Sequence, residues 1–430
     1  MNPLNKRQWR ERALVRSPEG YPLQARRLIS SPLHYISAAI IAIAALSLVI
    51  SAVISAPIRS VSLHPAKSSF AAPEKTQTLA NQYVELRSIP DDSLAPAPLL
   101  VQGLLVTTTT IDQTSIISAS DPDTGEEIWS YSRDLPLCAV TEAWDDIVAI
   151  YRNGAGCGDV VSLKAATGTY SSTRSSSAPM DVSALVSNDR VGYISPARID
   201  LWRSDLVRTI EYGLDPTPHE PELQPHPGCT IISAQTRVKK LALIEQCEDR
   251  IWLRILSTEP EESRSPQVDA EYELTGTNPA VVGITEETAA VYIEQPEPHY
   301  LRFTLEAKLV ADSVIDPIQQ TGPGPTTAVI SNDLQHHIAW FDGRRLYILH
   351  PLTLDIDYVV DDASGLPADL GSYILYPTAE GFAAVESADG NPVRKIQIAG
   401  GVESSPGALG VAGRSIVLKS RGEVRIYQPA

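Results

Sequence analysis

The chain has 430 residues, of which 43% are hydrophobic and 20% are charged, and its formal charge is −17. This apolar fraction is close to the globular average, which excludes disorder along the whole length. The length allows one large domain or two domains of medium size. The acidic excess argues against general nucleic-acid binding, which requires Lys and Arg for the phosphates. We therefore expect no nucleic-acid partner.

The charge is distributed unevenly along the chain. Residues 1–33 carry a formal charge of +5, and the remaining residues carry −22. No Asp, Glu, Lys or Arg occurs from Leu28 to Ile58, and within this stretch residues 34–56 read HYISAAIIAIAALSLVISAVISA. A helix needs about 20 apolar residues to cross a bilayer. We predict a basic cytoplasmic tail over residues 1–33 and a transmembrane helix over residues 34–56.

The basic residues before the span predict its orientation, with the N-terminus in the cytoplasm and the rest of the chain outside. Two alternatives are a cleaved signal peptide and a buried core helix. A signal peptide has an apolar region of about 7–15 residues, whereas this region is longer and Pro57 follows the most suitable cleavage point. A core helix would carry a polar face. The pattern favours a retained, single-pass anchor in the cell membrane.

Residues 57–82 are rich in Ser and Pro and lack periodicity, so we predict an extracytoplasmic linker. From residue 83 onward, short β-branched runs alternate with turn signals. Units of this kind open, 35 to 52 residues apart, near Leu99, Leu137, Val182, Cys229, Val281, Ala328, Tyr373 and Ala408. This spacing is typical of β-propeller blades. We predict an all-β propeller over residues 83–430 with about eight four-stranded blades, or seven if two short units form one blade.

Two of the units share a Thr-Gly turn. Residues 116–129 read IISASDPDTGEEIW, and residues 160–170 read VVSLKAATGTY. These segments resemble the repeat of the quinoprotein-like (PQQ-like) β-propeller family, apolar-x-Ala-x-Asp-x-x-Thr-Gly-x-x-x-Trp. Gly125 and Gly168 suit a turn that needs a positive φ. We expect Trp129, which follows the first turn, to pack between adjacent blades.

The resemblance implies either a quinone-cofactor dehydrogenase or a membrane-anchored bacterial envelope scaffold. The enzymes of this family stack the cofactor on a disulfide between adjacent cysteines, and no two cysteines are adjacent here. We therefore predict a non-catalytic protein-interaction scaffold without a cofactor, whose envelope partner is unidentified. A ligand-binding or quinoprotein-like enzymatic propeller is the alternative.

Three acidic residues beside the first Thr-Gly turn, Asp121, Asp123 and Glu126, offer oxygen ligands for a calcium loop. The second copy of the turn keeps the glycine but has Lys164 and two alanines in the corresponding region. The turn thus needs the glycine and not the charges. We interpret these acids as turn residues and predict no metal site.

The cysteines are Cys138, Cys157, Cys229 and Cys247. An even number in an exported domain predicts two disulfides, with three possible connectivities. Pairing of sequence neighbours is favoured, because the separations of 19 and 18 residues each bracket two strands and a tight turn. Antiparallel strands lie about 4.8 Å apart, which suits a disulfide. The alternative is a metal site formed by His219, His226 and Cys229, although no Cys-x-x-Cys motif is present.

The chain ends in a strand-like segment that lacks an outer neighbour. We predict that residues 83–89, YVELRSI, pair with residues 424–427 and close the ring. Elsewhere, His336 and His337 lie in a strand-like pattern, where a structural role is favoured over a ligand pair. Acidic pairs such as Asp91-Asp92 lie at turns and are expected to be solvated. The Pro-rich insertions at residues 215–228 and 316–325 are candidate contact loops.

Overall fold

The computed structural model describes residues 31–214, 223–316, 330–398, 407–420 and 422–430. The chain divides into two compact units, with the boundary between Arg59 and Ser60. The described part of the first unit is the helix α1 (Pro32–Ile54), which begins two residues before the predicted span and buries none of its side chains. By length and composition α1 is able to cross a membrane. A 3-10 turn over Pro57–Ser60 follows.

Within the described residues, the second unit contains eight sheets, which are the blades of an eight-bladed propeller, and the four strands of each blade pair antiparallel. We label the four strands of a blade A to D, from the innermost to the outermost. The two strands that precede blade 1 in the chain are β1 (Val61–His64) and β2 (Tyr83–Pro90). Strands A to D of blade 1 are β3 (Leu99–Val101), β4 (Leu104–Ile111), β5 (Thr114–Ser120) and β6 (Glu127–Arg133).

Blades 2 to 4 follow in chain order. Blade 2 comprises β7 (Leu137–Ala143), β8 (Asp146–Asn153), β9 (Gly156–Lys164) and β10 (Tyr170–Ser175). Blade 3 comprises β11 (Ser183–Val186), β12 (Val191–Ile194), β13 (Arg198–Trp202) and β14 (Arg208–Gly213). Blade 4 comprises β15 (Thr230–Arg237), β16 (Lys240–Cys247), β17 (Arg250–Ser257) and β18 (Val268–Leu274).

The remaining blades complete the ring. Blade 5 comprises β19 (Thr277–Ile284), β20 (Thr288–Gln295), β21 (Glu297–Thr304) and β22 (Leu309–Val314). Blade 6 comprises β23 (Ile330–Asp333), β24 (Ile338–Phe341), β25 (Leu346–Leu349) and β26 (Ile356–Val360). After the two-residue strand β27 (Gly365–Leu366), blade 7 comprises β28 (Ala368–Leu370), β29 (Tyr373–Thr378), β30 (Gly381–Glu386) and β31 (Pro392–Gln397). Blade 8 comprises β32 (Gly407–Ala412), β33 (Ser415–Ser420), β34 (Glu423–Pro429) and β2.

The ring closes as the sequence predicts, because β2 pairs antiparallel with β34 as the outer strand of blade 8. A buried ion pair lies beside this closure. The Lys419 ammonium is 2.6 Å from the Asp91 carboxylate, and both side chains are almost fully buried. Ser93 and Thr108 also donate hydrogen bonds to Asp91. The prediction that Asp91 is solvated is therefore wrong. The sequence does not indicate its burial, because the partner Lys419 lies 328 residues away.

The packing between blades follows the repeat motif. Trp129 is 1% exposed, and its indole Nε1 donates a 2.6 Å hydrogen bond to the Ala165 carbonyl of blade 2. Gly168 has a φ of +70° and lies against the Trp129 ring, where a Cβ atom would be 2.6 Å from the ring. The predicted turn conformation and the predicted packing of the tryptophan between blades are both confirmed.

One blade boundary differs from the prediction. The sequence predicts that blade 7 opens at Tyr373, but that residue begins strand B. Strand A is the three-residue β28, too short to show an alternating pattern. Just before it, β27 pairs in parallel with β32 of blade 8, and Gly365 is directly opposite Gly407. A Cβ atom on Gly365 would overlap the Gly407 carbonyl, so the close approach of β27 to β32 requires glycine at position 365.

The stretch predicted to be a linker contacts the propeller along much of its length. β1 adds a fifth strand to blade 1 by pairing with β6. Residues 65–82, which we call the strap, follow β1. The backbone N–H groups of Ala66 and Thr76 donate hydrogen bonds of 2.9 and 2.8 Å to Thr167 of blade 2 and Gly413 of blade 8. The strap thus links distant blades before the chain enters β2.

Candidate functional site: the two faces of the propeller

The antiparallel order of the strands gives the propeller two different faces. Connections from strand D to the next strand A lie on the same face as the B–C turns, and we call this the crossover face. The A–B and C–D turns lie on the opposite face, which we call the hairpin face. Longer connections occur on the crossover face, including the two Pro-rich insertions.

Both disulfides lie on the crossover face. Cys138 of β7 is bonded to Cys157 at the start of β9, and Cys229 is bonded to Cys247 at the end of β16. Their Cα separations are 6.1 and 4.5 Å. This is the sequence-neighbour pairing that the near-equal spacings favour. Each disulfide bonds the beginning of strand A to the B–C turn of its own blade. Blades 2 and 4 are therefore each cross-linked internally at the crossover face.

Aliphatic side chains are more exposed on the crossover face than on the hairpin face. Leu94, Ile111 and Leu214 are 82%, 60% and 60% exposed at connections of the crossover face, where Met180 is also exposed. Leu94 borders a recess between blades 1 and 2 that also contains Cys138. On the hairpin face, the exposed loop residues Val207 and Leu352 are both 47% exposed. Exposed apolar side chains are typical of contact surfaces where they form a contiguous patch.

The structure describes only the ends of the two Pro-rich insertions. Residues 215–222, which include His219, and residues 317–329 lie outside the described residues. At the end of the first insertion, the Gln224 side chain accepts a 2.8 Å hydrogen bond from the Gly213 N–H group and donates to the Glu211 and Arg264 carbonyls. At the start of the second, Asp316 pairs with Arg345.

A buried polar cluster lies directly below the disulfide of blade 4. The Glu245 carboxylate is 1% exposed and accepts hydrogen bonds from Tyr212 Oη at 2.7 Å and Arg254 Nε at 2.9 Å. His226 Nδ1 lies 3.6 Å from Glu245 Oε1. Burial is the main cause that lowers the pKa of His226. The sequence pattern predicts His226 and Cys229 in one candidate cluster with His219, and it gives no indication of Glu245.

On the hairpin face, two of the three acids beside the first Thr-Gly turn, Asp121 and Asp123, accept hydrogen bonds through their carboxylates. Asp121 accepts hydrogen bonds from the Asp123 N–H group and the Thr124 hydroxyl, both at 2.9 Å. Asp123 accepts from Ser415 Oγ at 2.7 Å and from the Arg414 N–H group at 3.1 Å. Asp121 therefore shapes the turn, and Asp123 joins blade 1 to blade 8. These contacts agree with the interpretation of the acids as turn residues.

Charged groups gather where the strap crosses the hairpin face. Glu142, at the end of strand A in blade 2, keeps its side chain partly exposed to solvent, and desolvation by the surrounding protein raises the pKa of its carboxyl to about 7 although the nearby Lys75 ammonium of the strap acts in the opposite direction. Burial also raises the pKa of Asp369 in blade 7, whose carboxylate accepts a 2.6 Å hydrogen bond from the Gln335 N–H group. Lys75 thus lies near acids of two blades that are not neighbours.

The two histidines of blade 6 lie in the A–B turn between β23 and β24. The prediction that they lie within a strand is therefore wrong. His336 is exposed. His337 is half-buried, its Nε2 lies 3.6 Å from an Asp357 carboxylate oxygen, and its ring meets the Tyr358 ring edge to face. Burial lowers the pKa of His337 more than the neighbouring acids raise it. These contacts support the structural role favoured by the sequence.

No protein-family model and no curated protein matches this chain. The crystal structure of BamB from Moraxella catarrhalis aligns with 80% of this chain and 99% of its own, with 15% identity and a TM-score of 0.46. Sqt1 from Saccharomyces cerevisiae aligns with 83% of this chain and 100% of its own, with 8% identity and a TM-score of 0.47. The structure of the dihydro-heme d1 dehydrogenase NirN in complex with DHE aligns with 78% of this chain and 77% of its own, with 10% identity and a TM-score of 0.44. Similarities this low carry no functional argument, and we base the propeller assignment on the strand pairings.

Proposed function

We propose that this chain is a single-pass membrane protein of the cell envelope, with a cytoplasmic N-terminus and an extracytoplasmic propeller that acts as a non-catalytic protein-interaction scaffold. We further propose that it is related to the envelope propellers of the quinoprotein-like class. The observation that carries the scaffold role is the set of exposed aliphatic side chains on the crossover face, such as Leu94 and Ile111.

Three observations support the anchor and its orientation. The side chains of α1 are exposed along its whole length, for example Leu33 at 76% and Leu48 at 71%, and a bilayer would remove this apolar surface from water. The charge of +5 on residues 1–33 favours retention of that end in the cytoplasm. All four cysteines are paired in disulfides, as is typical of domains in an oxidising compartment.

Two features of the crossover face support the scaffold role: disulfide-bonded blades that form a rigid framework, and loops with exposed apolar side chains. Blades 2 and 4 each contain an internal disulfide at the crossover face, so the loops nearby are held by a stable framework. Binding residues are commonly placed on loops that a rigid scaffold positions. Exposed Leu94, Met180 and Leu214 lie on such loops. We therefore assign partner binding to the crossover face.

Anchoring and orientation are tested with the full chain in right-side-out membrane vesicles or spheroplasts. We expect the protein to resist extraction by carbonate, protease to digest a C-terminal tag, and an N-terminal tag to stay protected. Digestion of the N-terminal tag with protection of the C-terminal tag would contradict the orientation. Release of the full-length propeller by carbonate would contradict the anchor.

The scaffold role is tested by charge substitutions on the two faces. Leu94→Asp and Met180→Asp should abolish the complexes that the solubilised protein forms on native gels, because a carboxylate cannot be buried without a partner. Leu352→Asp, on the hairpin face, is the matched control and should leave the complexes intact. Loss of the complexes in the control alone would refute the assignment of the face.

A further inference from the structure

The disulfide of blade 4 differs from that of blade 2 in its surroundings. The Sγ atoms of Cys229 and Cys247 and a carboxylate oxygen of Glu245 all lie within 4.8 Å of one another. Among the described residues, this is the one group of three such side chains that is close enough to share a metal ion. The Cys138–Cys157 disulfide belongs to no such group within the same part of the chain.

Strand geometry explains how the cluster is formed. Glu245 and Cys247 are two residues apart in β16, so their side chains lie on the same face of the blade. Cys229 immediately precedes β15, in which Thr230 pairs with Gln246. Cys229 is therefore opposite Cys247 across the two strands. The backbone pairing holds all three side chains in position, whether or not the sulfur atoms are bonded.

His226 lies outside this group of three and is a candidate fourth ligand because of its position beside Glu245. His226 Nδ1 is 3.6 Å from Glu245 Oε1 and 3.3 Å from Tyr212 Oη. His226 and both cysteines are partly exposed on the crossover face, which leaves a path for an ion to enter. Two thiolates, one imidazole and one carboxylate form a four-coordinate ligand set that suits Zn²⁺.

We propose that blade 4 contains a latent zinc site, formed by Cys229, Cys247, Glu245 and His226, which becomes available when the Cys229–Cys247 disulfide is reduced. The proposal is independent of the scaffold function. In the oxidised protein the two sulfur atoms are bonded to each other, and the site does not bind zinc through thiolates. Reduction converts the pair into a redox-dependent metal site.

The chemistry of the conversion balances with a thiol as the reductant. A dithiol, or two molecules of a monothiol, supplies two electrons and two protons, so the sulfur–sulfur bond of the protein breaks and a disulfide of the reductant forms. Zinc then displaces the two thiol protons, which are released to water. The ion and two thiolates together carry no net charge. The Glu245–Arg254 ion pair, with 2.9 Å between Nε and Oε1, therefore has no additional charge to neutralise.

Arg254 also favours the reduced, metal-binding form. Its Nη2 atom lies 3.9 Å from Cys247 Sγ. A guanidinium beside a cysteine stabilises the thiolate, which is the form that binds metal. Arg254 itself is held by ion pairs with Glu245 and with Glu271 of β18, which keep it close to the sulfur.

Cobalt(II) is the probe, because thiolate-bound Co²⁺ has a characteristic near-ultraviolet absorption band and tetrahedral Co²⁺ absorbs strongly in the visible. The full chain in detergent is reduced with a phosphine under argon, freed of the reductant and titrated with CoCl₂. We expect one equivalent to bind with both spectral features, and ZnCl₂ to displace it. The protein that is kept oxidised should show neither feature.

Variants separate this site from the other disulfide. The Cys138→Ser, Cys157→Ser double variant should keep the cobalt spectrum, and the Cys229→Ser, Cys247→Ser double variant should lose it. His226→Ala should weaken binding at least tenfold, whereas His299→Ala in blade 5 should not change it. A thiolate–cobalt band that survives in the Cys229→Ser, Cys247→Ser variant would overturn the proposal. Absence of the band in the reduced wild-type chain would also overturn it, whether the chain stays folded by circular dichroism or unfolds.

Discussion

The two faces of the propeller are stabilised in different ways. On the crossover face, long connections are secured by two disulfides and by the buried Asp91–Lys419 ion pair. On the hairpin face, the described turns contain no disulfide, and the strap is attached by backbone hydrogen bonds such as that from Thr76 to Gly413 and by apolar side chains such as Phe70 and Leu79 that pack against the core. The comparison shows that, among the described residues, both disulfides lie on the face that carries the longer connections and the most exposed loop side chains.

The largest effect on stability is expected from deletion of β2, the strand that runs from the hairpin face to the crossover face and closes the ring. Deletion of residues 83–90 would remove the buried Tyr83 and leave β34 as an open edge. We expect the whole propeller to lose cooperative unfolding, measured by thermal denaturation with circular dichroism. A deletion variant that melts cooperatively at the wild-type temperature would show that the ring does not depend on this strand.

The second largest effect on stability is expected when the buried ion pair of the crossover face is broken. Lys419→Met leaves the Asp91 carboxylate buried without its cationic partner, and we expect the free energy of unfolding to fall by about 3–5 kcal/mol. Urea denaturation measures the loss. The matched control is Arg203→Met, which removes an exposed ion pair with Asp205 on the hairpin face and should have no measurable effect. Equal losses in the two variants would remove the proposed difference between the faces.

The disulfides should have a smaller effect. Each closes a loop of fewer than 20 residues, and replacing one pair of cysteines by serine should lower the free energy of unfolding by about 3 kcal/mol. The blade 2 and blade 4 double variants are compared by urea denaturation under oxidising conditions. If neither variant is destabilised, the disulfides do not contribute to the rigidity of the crossover face.

The smallest expected effect is a pH dependence on the hairpin face. The folded protein holds the pKa of Glu142 at about 7, above the value in the unfolded chain, so the folded state binds more protons between these two values. The stability contributed by the protonated carboxyl is complete below the unfolded pKa and is lost as the pH rises toward 7. Glu142→Gln should remove this decline, seen in unfolding midpoints from pH 4.5 to 8. A decline of the same size in the variant would exclude Glu142 as its source.

The sequence predicts those parts of the fold that depend on local spacing. The Thr-Gly turns place Gly125 and Gly168 correctly because only glycine adopts their positive φ readily. The cysteine pairing follows because 18 and 19 residues are the length of a hairpin with short extensions. Closure by β2 follows from the missing outer strand at the C-terminus.

Features that depend on contacts between distant segments could not be predicted in this way. The strap has no apolar periodicity, because it is attached through backbone hydrogen bonds to turns of different blades and through isolated apolar side chains such as Phe70. The buried ion pairs of blade 3, in which Arg198 lies 3.3 Å from Asp200 and 3.0 Å from Glu211, join residues that look like solvated positions in the sequence. The Glu245 cluster could not be predicted because Glu245 directly follows the apolar run at residues 241–244, near the end of the strand, where a charged residue looks solvated in the sequence.

The most direct test of the central claim is site-specific photo-crosslinking of the full chain in its native membrane. A photoreactive amino acid is placed at position 94 on the crossover face or at position 352 on the hairpin face, where both wild-type leucines are exposed. We predict a discrete crosslinked protein partner from position 94 and none from position 352. A partner captured only from position 352 would contradict the assignment of the crossover face as the binding surface.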